Sequence, residues 1–155
     1  MNSDPAEKKL LERLQRQCAR AEYCTGDIRR KAMKALEGDA EAAERVVEAL
    51  VQDRFVDDRR YAGAFVREKS AIQGWGAIKI AHMLAAKGVD REVIMEAITE
   101  ETDNEKADAR LRKLLETKAR ALSGDPAIRL KLLKFGLSRG YHYEEVDPIV
   151  RALTQ

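Results

Sequence analysis

Gly26-Asp27-Ile28-Arg29 recurs as Gly76-Ala77-Ile78-Lys79 and again as Pro126-Ala127-Ile128-Arg129. Ile28, Ile78 and Ile128 stand 50 residues apart, each followed by a cation and then by an apolar stretch of helical spacing. A period of this size marks tandem supersecondary units rather than one irregular enzyme core. The search for function therefore starts from an extended surface. The isoleucines read as anchors of each unit's second helix, and their neighbours Arg29, Lys79 and Arg129 as a row of cations spaced by the same repeat.

Outward from these echoes, each unit resolves into three helices. Asp4-Pro5-Ala6-Glu7 reads as a helix start, with Asp4 as cap, Pro5 at the first position and Glu7 closing a capping box. Leu10, Leu11, Leu14, Cys18 and Ala21 follow at helical spacing, Ile28, Ala32, Ala35 and Leu36 mark a second helix, and Val46, Val47, Leu50 and Val51 a third. The order repeats with Asp57-Asp58 as a cap before Tyr61, Ala62, Phe65 and Val66. Ile78, Ala81, Leu84 and Ala85 then run to a glycine stop at Gly88, and Asp90 caps a helix with Val93, Ile94, Ala97 and Ile98. The last unit opens near Asp103, with Leu111, Leu114, Leu115 and Leu122. Asp125-Pro126 then starts a helix with Ile128, Leu132, Leu133 and Leu137, and Glu144 begins the final helix, with Pro148 fitting near its first turn. The expected fold is all-α, with three-helix repeats over residues 1–56, 57–101 and 102–155.

Composition agrees with this reading. Hydrophobic residues make up 45% and charged residues 36% of 155, and strong helix formers dominate. The net charge of +2 excludes a polycation of the nucleic-acid type, so the distribution matters more than the sum. Residues 59–91 hold Arg59, Arg60, Arg67, Lys69, Lys79, Lys87 and Arg91 against Glu68 and Asp90. Arg29, Arg30, Lys31 and Lys34 mark the second helix of the first unit, and Arg129, Lys131, Lys134 and Arg139 occur in 126–140 with no acid. These sets are candidates for contact with phosphates or an acidic protein surface, and equally for ordinary solvated faces.

Catalysis finds little support. His82 and His142 have no metal-ligand spacing, Gly74-Trp75-Gly76 lacks the strand and further glycine of a dinucleotide site, and no Walker-type loop is present. No cofactor is expected. Trp75 reads either as an interface anchor or as a filler between repeats, and Tyr61 and Phe65 as core rings. Cys18 and Cys24 form neither a disulfide framework nor a zinc signature, so reduced thiols are expected. The polar start Met1-Asn2-Ser3-Asp4 has no apolar signal region, and the expectation is a cytoplasmic monomer without a membrane span.

Phe55-Val56-Asp57-Asp58-Arg59-Arg60-Tyr61-Ala62-Gly63-Ala64-Phe65-Val66-Arg67-Glu68-Lys69 resembles the central signature of the RecX family, bacterial regulators of the RecA recombinase. Gly74-Trp75-Gly76-Ala77-Ile78-Lys79, with Leu84, Lys87, Gly88 and Val89, resembles the stretch that follows it. Glu22-Tyr23-Cys24-Thr25-Gly26-Asp27-Ile28-Arg29-Arg30-Lys31 is similar to the first-repeat motif, and Arg139-Gly140-Tyr141 with Val146 to the third. The family often has Ser at the place of Cys24 and Glu-Leu at Asp27-Ile28, and Glu37-Gly38-Asp39 replaces a Lys-Gly-aromatic step. The resemblance implies an elongated, curved, right-handed-type array of three repeats. It also implies binding in the groove of the RecA–DNA filament, with DNA met weakly or through the filament. Lowered ATPase and strand exchange and blocked filament extension would follow.

Overall fold

The computed structural model describes residues 4–155; Met1-Asn2-Ser3, the start of the polar segment, lie outside the described residues. Nine helices and no strand occur among the described residues. In order they are α1 (Pro5–Arg20), α2 (Thr25–Ala35), α3 (Ala40–Gln52), α4 (Asp58–Ala71), α5 (Ala77–Ala86), α6 (Arg91–Glu101), α7 (Asn104–Ala121), α8 (Ile128–Ser138) and α9 (Tyr143–Leu153). No helix among those residues is long and apolar enough to cross a membrane.

Short polar side chains start the helices. Asp4 accepts from the Ala6 amide, Asp39 from Ala42, Asp57 from Arg59 and Arg60, and Asp103 from Glu105 and Lys106. Each satisfies amides that a first helical turn leaves without partners. Glu7 does not close the expected box; its carboxylate instead accepts from Arg45 of α3 at 2.9 Å. The reciprocal bond appears at α9, where Glu145 Oε1 accepts from the His142 amide at 2.9 Å. Pro148 is the sixth residue of α9, just past its first turn, so the Glu144 carbonyl lacks its usual i+4 amide partner. Gly88 and Gly140 end α5 and α8 with φ of 88° and 94°, conformations natural to glycine.

The chain packs as two compact units. One runs up to Ala62 and includes Leu84–Ile94; the other comprises Gly63–Met83 and Met95–Gln155. In the first, α1, α2 and α3 enclose Leu10, Leu14, Ile28, Ala32, Val46, Val47 and Leu50. In the second, α7, α8 and α9 enclose Leu111, Leu115, Leu132, Tyr141, Val146 and Ile149. A Cβ at Gly136 of α8 would fall 2.6 Å from Val146 of α9, so glycine lets these helices close.

Burial corrects the register of the repeat. Ile28 is fully buried, but Ile78 is 46% exposed and Ile128 only half-buried. The inward residue of α5 is Ile80, and that of α8 is Leu132. Ile28, Ile80 and Leu132 lie 52 residues apart, as do Ala32, Leu84 and Gly136, all buried. The reason is local: α2 starts at Thr25 and α5 at Ala77, so the fourth residue of each points inward. Tyr61 and Phe65 are half-buried rather than core, a role held by Ala62 and Val66, and Leu137 is 40% exposed.

Candidate interaction surface

The same joint is built twice, once in each unit. Gly26, at the start of α2, sits so close to the end of α5 that a Cβ would collide with the Lys87 carbonyl. The Cys24 thiol donates to that carbonyl at 3.7 Å. Asp58 of α4 accepts from both the amide (2.7 Å) and hydroxyl (2.9 Å) of Thr25, capping α2 from 33 residues away. Likewise Gly76, at the start of α5, meets the end of α8. A Cβ there would strike the Gly140 carbonyl, the Gly76 amide donates to Arg139 O at 2.7 Å, and the Ile78 amide to Gly140 O at 3.0 Å. The Tyr141 hydroxyl secures this joint by donating to Gly74 O at 3.0 Å. Each joint orders the mouth of a second helix.

The joints absorb several cations proposed above for binding. Lys87 pairs with Asp27 at 3.3 Å, and Arg30 with the same carboxylate at 2.7 Å. Burial by itself would raise the Asp27 carboxyl, but hydrogen bonds from Arg30 and Cys24 and the adjoining Lys87 hold it below the ordinary range. Burial would lower Lys87 in turn, and its Tyr61 and Asp27 neighbours raise it. Arg60 pairs with Glu22 at 2.8 Å and donates to the Arg54 and Phe55 carbonyls, tying the loop before α4. Arg29 pairs with Glu44, Arg67 with Glu101 and Lys131 with Asp125. Arg59 is exposed at the start of α4.

A different set stands on aromatic rings. In the second unit Trp75 is half-buried, with Lys79 Nζ 4.2 Å and Lys69 Nζ 5.0 Å from its ring centroid. Phe65 meets it edge-on at 6.5 Å and also lies under Lys69. Arg139 lies 5.1 Å from the Phe135 ring and reaches the Gln73 carbonyl, and Lys118 lies 5.2 Å from the same ring. Such contacts hold a long side chain in place without neutralising it. Trp75 thus both fills the joint region and carries two cations. In the first unit Lys31 stands similarly on Tyr23. Arg129 contacts the Thr154 hydroxyl and Lys134 is exposed on α8.

The evenly spaced cation row dissolves in the corrected register. Arg29 corresponds to Ala81 and Leu133, whereas Lys79 corresponds to Asp27 and Lys131. What the structure gathers is the cluster Lys69, Lys79 and Arg139, from α4, α5 and the end of α8. Lys118 and Phe135 belong to it and escaped the sequence reading. Lys118 lies on α7 and Phe135 on α8, so their meeting depends on how those helices pack and left no sign in the sequence. No group of three or more His, Cys, Asp or Glu capable of holding a metal occurs among the described residues. Both cysteines are free thiols, buried and raised by that burial.

Nine helices among the described residues thus form an all-α chain, with a joint at a helix mouth in each of its two compact units and cations mounted on aromatic rings. Residues 57–98 match the family described as RecX, second three-helix domain. The chain belongs to the RecX family. It is 34% identical over 116 residues to regulatory protein RecX of Clostridium botulinum, covering 73% of this chain and 54% of that protein. It therefore spans about half the length of the clostridial relatives it matches. A regulatory protein RecX of Escherichia coli is 28% identical over 161 residues, covering 95% of this chain and 93% of that one. The crystal structure of RecX from Lactobacillus salivarius has the same fold, with a TM-score of 0.82 over 96% of both chains at 19% identity.

Proposed function

We propose that the chain regulates the RecA recombinase by binding the RecA–DNA filament in its groove, lowering ATPase and strand exchange and opposing filament extension. Membership of the RecX family carries this reading. Three helical repeats presenting separate contacts suit a filament, because weak sites on one chain reinforce each other through effective concentration. DNA is met weakly or through the filament, in keeping with the net charge of +2. The chain acts without a cofactor and without chemistry of its own, as a cytoplasmic monomer.

Within the candidate set, the side chains free to engage a partner without breaking an internal ion pair are the stronger contacts. These are Lys69, Lys79 and Arg139, with Lys31, Arg129 and Lys134 as outlying sites. Arg29, Arg30, Arg60, Arg67, Lys87 and Lys131 contribute through the charge left exposed around their pairs. The test is the DNA-dependent ATPase of RecA filaments with increasing amounts of the chain. Inhibition below one chain per RecA protomer is expected; full ATPase at equimolar protein overturns the proposal.

A further inference from the structure

On α7, Arg110, Lys113, Leu114, Thr117, Lys118 and Ala121 recur at the spacing of one helical face. With Phe135 and Arg139 of α8 they enclose an open cavity of about 420 Å³ in the second unit. Arg110, Lys113, Lys118 and Arg139 are its charged lining residues, and no carboxylate lines it. Its floor is apolar: Leu114, Ala121 and the Phe135 ring, over which Lys118 and Arg139 lie. The nearest acids of α7 are otherwise placed, Asp108 pairing with Arg112 at 2.8 Å and Glu116 standing exposed outside the lining. The stripe runs from Arg110 to Ala121, 11 steps of about 1.5 Å or about 16 Å of helix, the length of a short peptide segment.

We propose that this cavity docks an acidic peptide segment of a partner protein, with one apolar side chain seated over Leu114 and Phe135 and flanking carboxylates at Arg110, Lys113, Lys118 and Arg139. Charge complementarity selects the acidic partner. The apolar floor favours peptide over nucleic acid: a phosphate backbone would use the rim but leave the floor empty. The inference adds a protein-docking site to the filament reading and stands independently of it, since the peptide is assayed without RecA.

The probe is a fluorescein-labelled peptide of Asp and Glu residues with one central Phe, titrated with the full chain and followed by anisotropy. Parallel titrations use the same peptide with Ala for Phe and a labelled oligothymidylate of equal length. Thr117→Trp fills the cavity and leaves its charge unchanged, while Lys113→Glu with Lys118→Glu reverses the rim. Both changes fall on exposed or half-buried positions, and the helical circular dichroism and melting temperature confirm folding. Binding of the Phe peptide is expected to weaken about tenfold or more in each variant, and the Ala peptide to bind about tenfold more weakly, as for loss of an anchoring side chain. Three outcomes overturn the proposal: no binding of the Phe peptide, binding indifferent to Thr117→Trp, or tighter binding of oligothymidylate lost in the same variants. A working cavity with no effect on RecA ATPase would reject the filament reading alone.

Discussion

At the scale of the residue, two isoleucines separate sequence pattern from burial. Ile78 carries the visible echo but is 46% exposed, whereas Ile80 is fully buried. Ile80→Ala should destabilise the chain by about 2–5 kcal/mol, the range for deleting a buried aliphatic side chain. Ile78→Ala should cost no more than about 0.5 kcal/mol, as expected of surface substitutions. Urea titration of both variants checks the pair, and equal losses would contradict the register of α5. The echo misled because the same motif sits at different helix positions: α2 begins one residue before Gly26, α5 one residue after Gly76. The inward direction is set by where the helix begins, which depends on a joint with α8 that lies more than 60 positions away in sequence.

Asp58 shows the same division between local and distant causes. Sequence marks Asp57-Asp58 as a cap, and Asp57 does cap α4. Asp58 instead serves α2, binding both polar hydrogens of Thr25. Asp58→Ala should therefore destabilise by about 1–2 kcal/mol, as for a lost cap. Thr25→Ala in the Asp58→Ala background should add less than it does alone, because the two share their bonds. A double-mutant cycle by chemical denaturation reads the coupling directly.

At the scale of the element, the start of α2 links stability to pH. The folded-state pKa of Asp27 is depressed by Arg30, Cys24 and Lys87 against the opposing effect of burial. The folded chain thus holds fewer protons at this site than the unfolded chain. Its contribution is fully present above the ordinary aspartate value of about 4 and is lost as pH falls through the depressed value. Asp27→Asn should flatten the acid limb of the stability curve while leaving its shape near neutrality unchanged. Melting followed by circular dichroism from neutral to acid pH is the measurement, and an unchanged acid limb would remove Asp27 from the account.

Helix starts were readable in the sequence where a cap sits next to its own helix, as at Asp4, Asp57 and Asp103. The binding candidates were less readable. Arg60 finds Glu22 at a separation of 38 residues, and Lys87 finds Asp27 at 60. Those partners are set by tertiary packing, so a cation in a charged run gives no sign of whether it is already engaged. Aromatic mounting is hidden for the same reason: Lys118 and Phe135 lie on separate helices and meet only when α7 packs against α8.

At the scale of the whole molecule, the division of the cations predicts two kinds of variant. Lys69→Glu with Lys79→Glu removes charges held over Trp75 without exposing a buried carboxylate. The cation–ring contacts themselves are worth about 0.5–1 kcal/mol at exposed sites, so melting should shift little. Inhibition of RecA ATPase should nevertheless weaken by about tenfold or more, the loss expected when central interface contacts are reversed. Arg60→Glu should behave in the opposite way. It sets a carboxylate against Glu22 and strips the Arg54 and Phe55 carbonyls of a donor. Its melting temperature should fall, and inhibition per folded molecule should change less. Measuring both quantities on both variants separates contact from scaffold. If the Lys69 and Lys79 reversal lowers melting while sparing inhibition, the cluster around Trp75 is structural and the partner must be met elsewhere on the repeats.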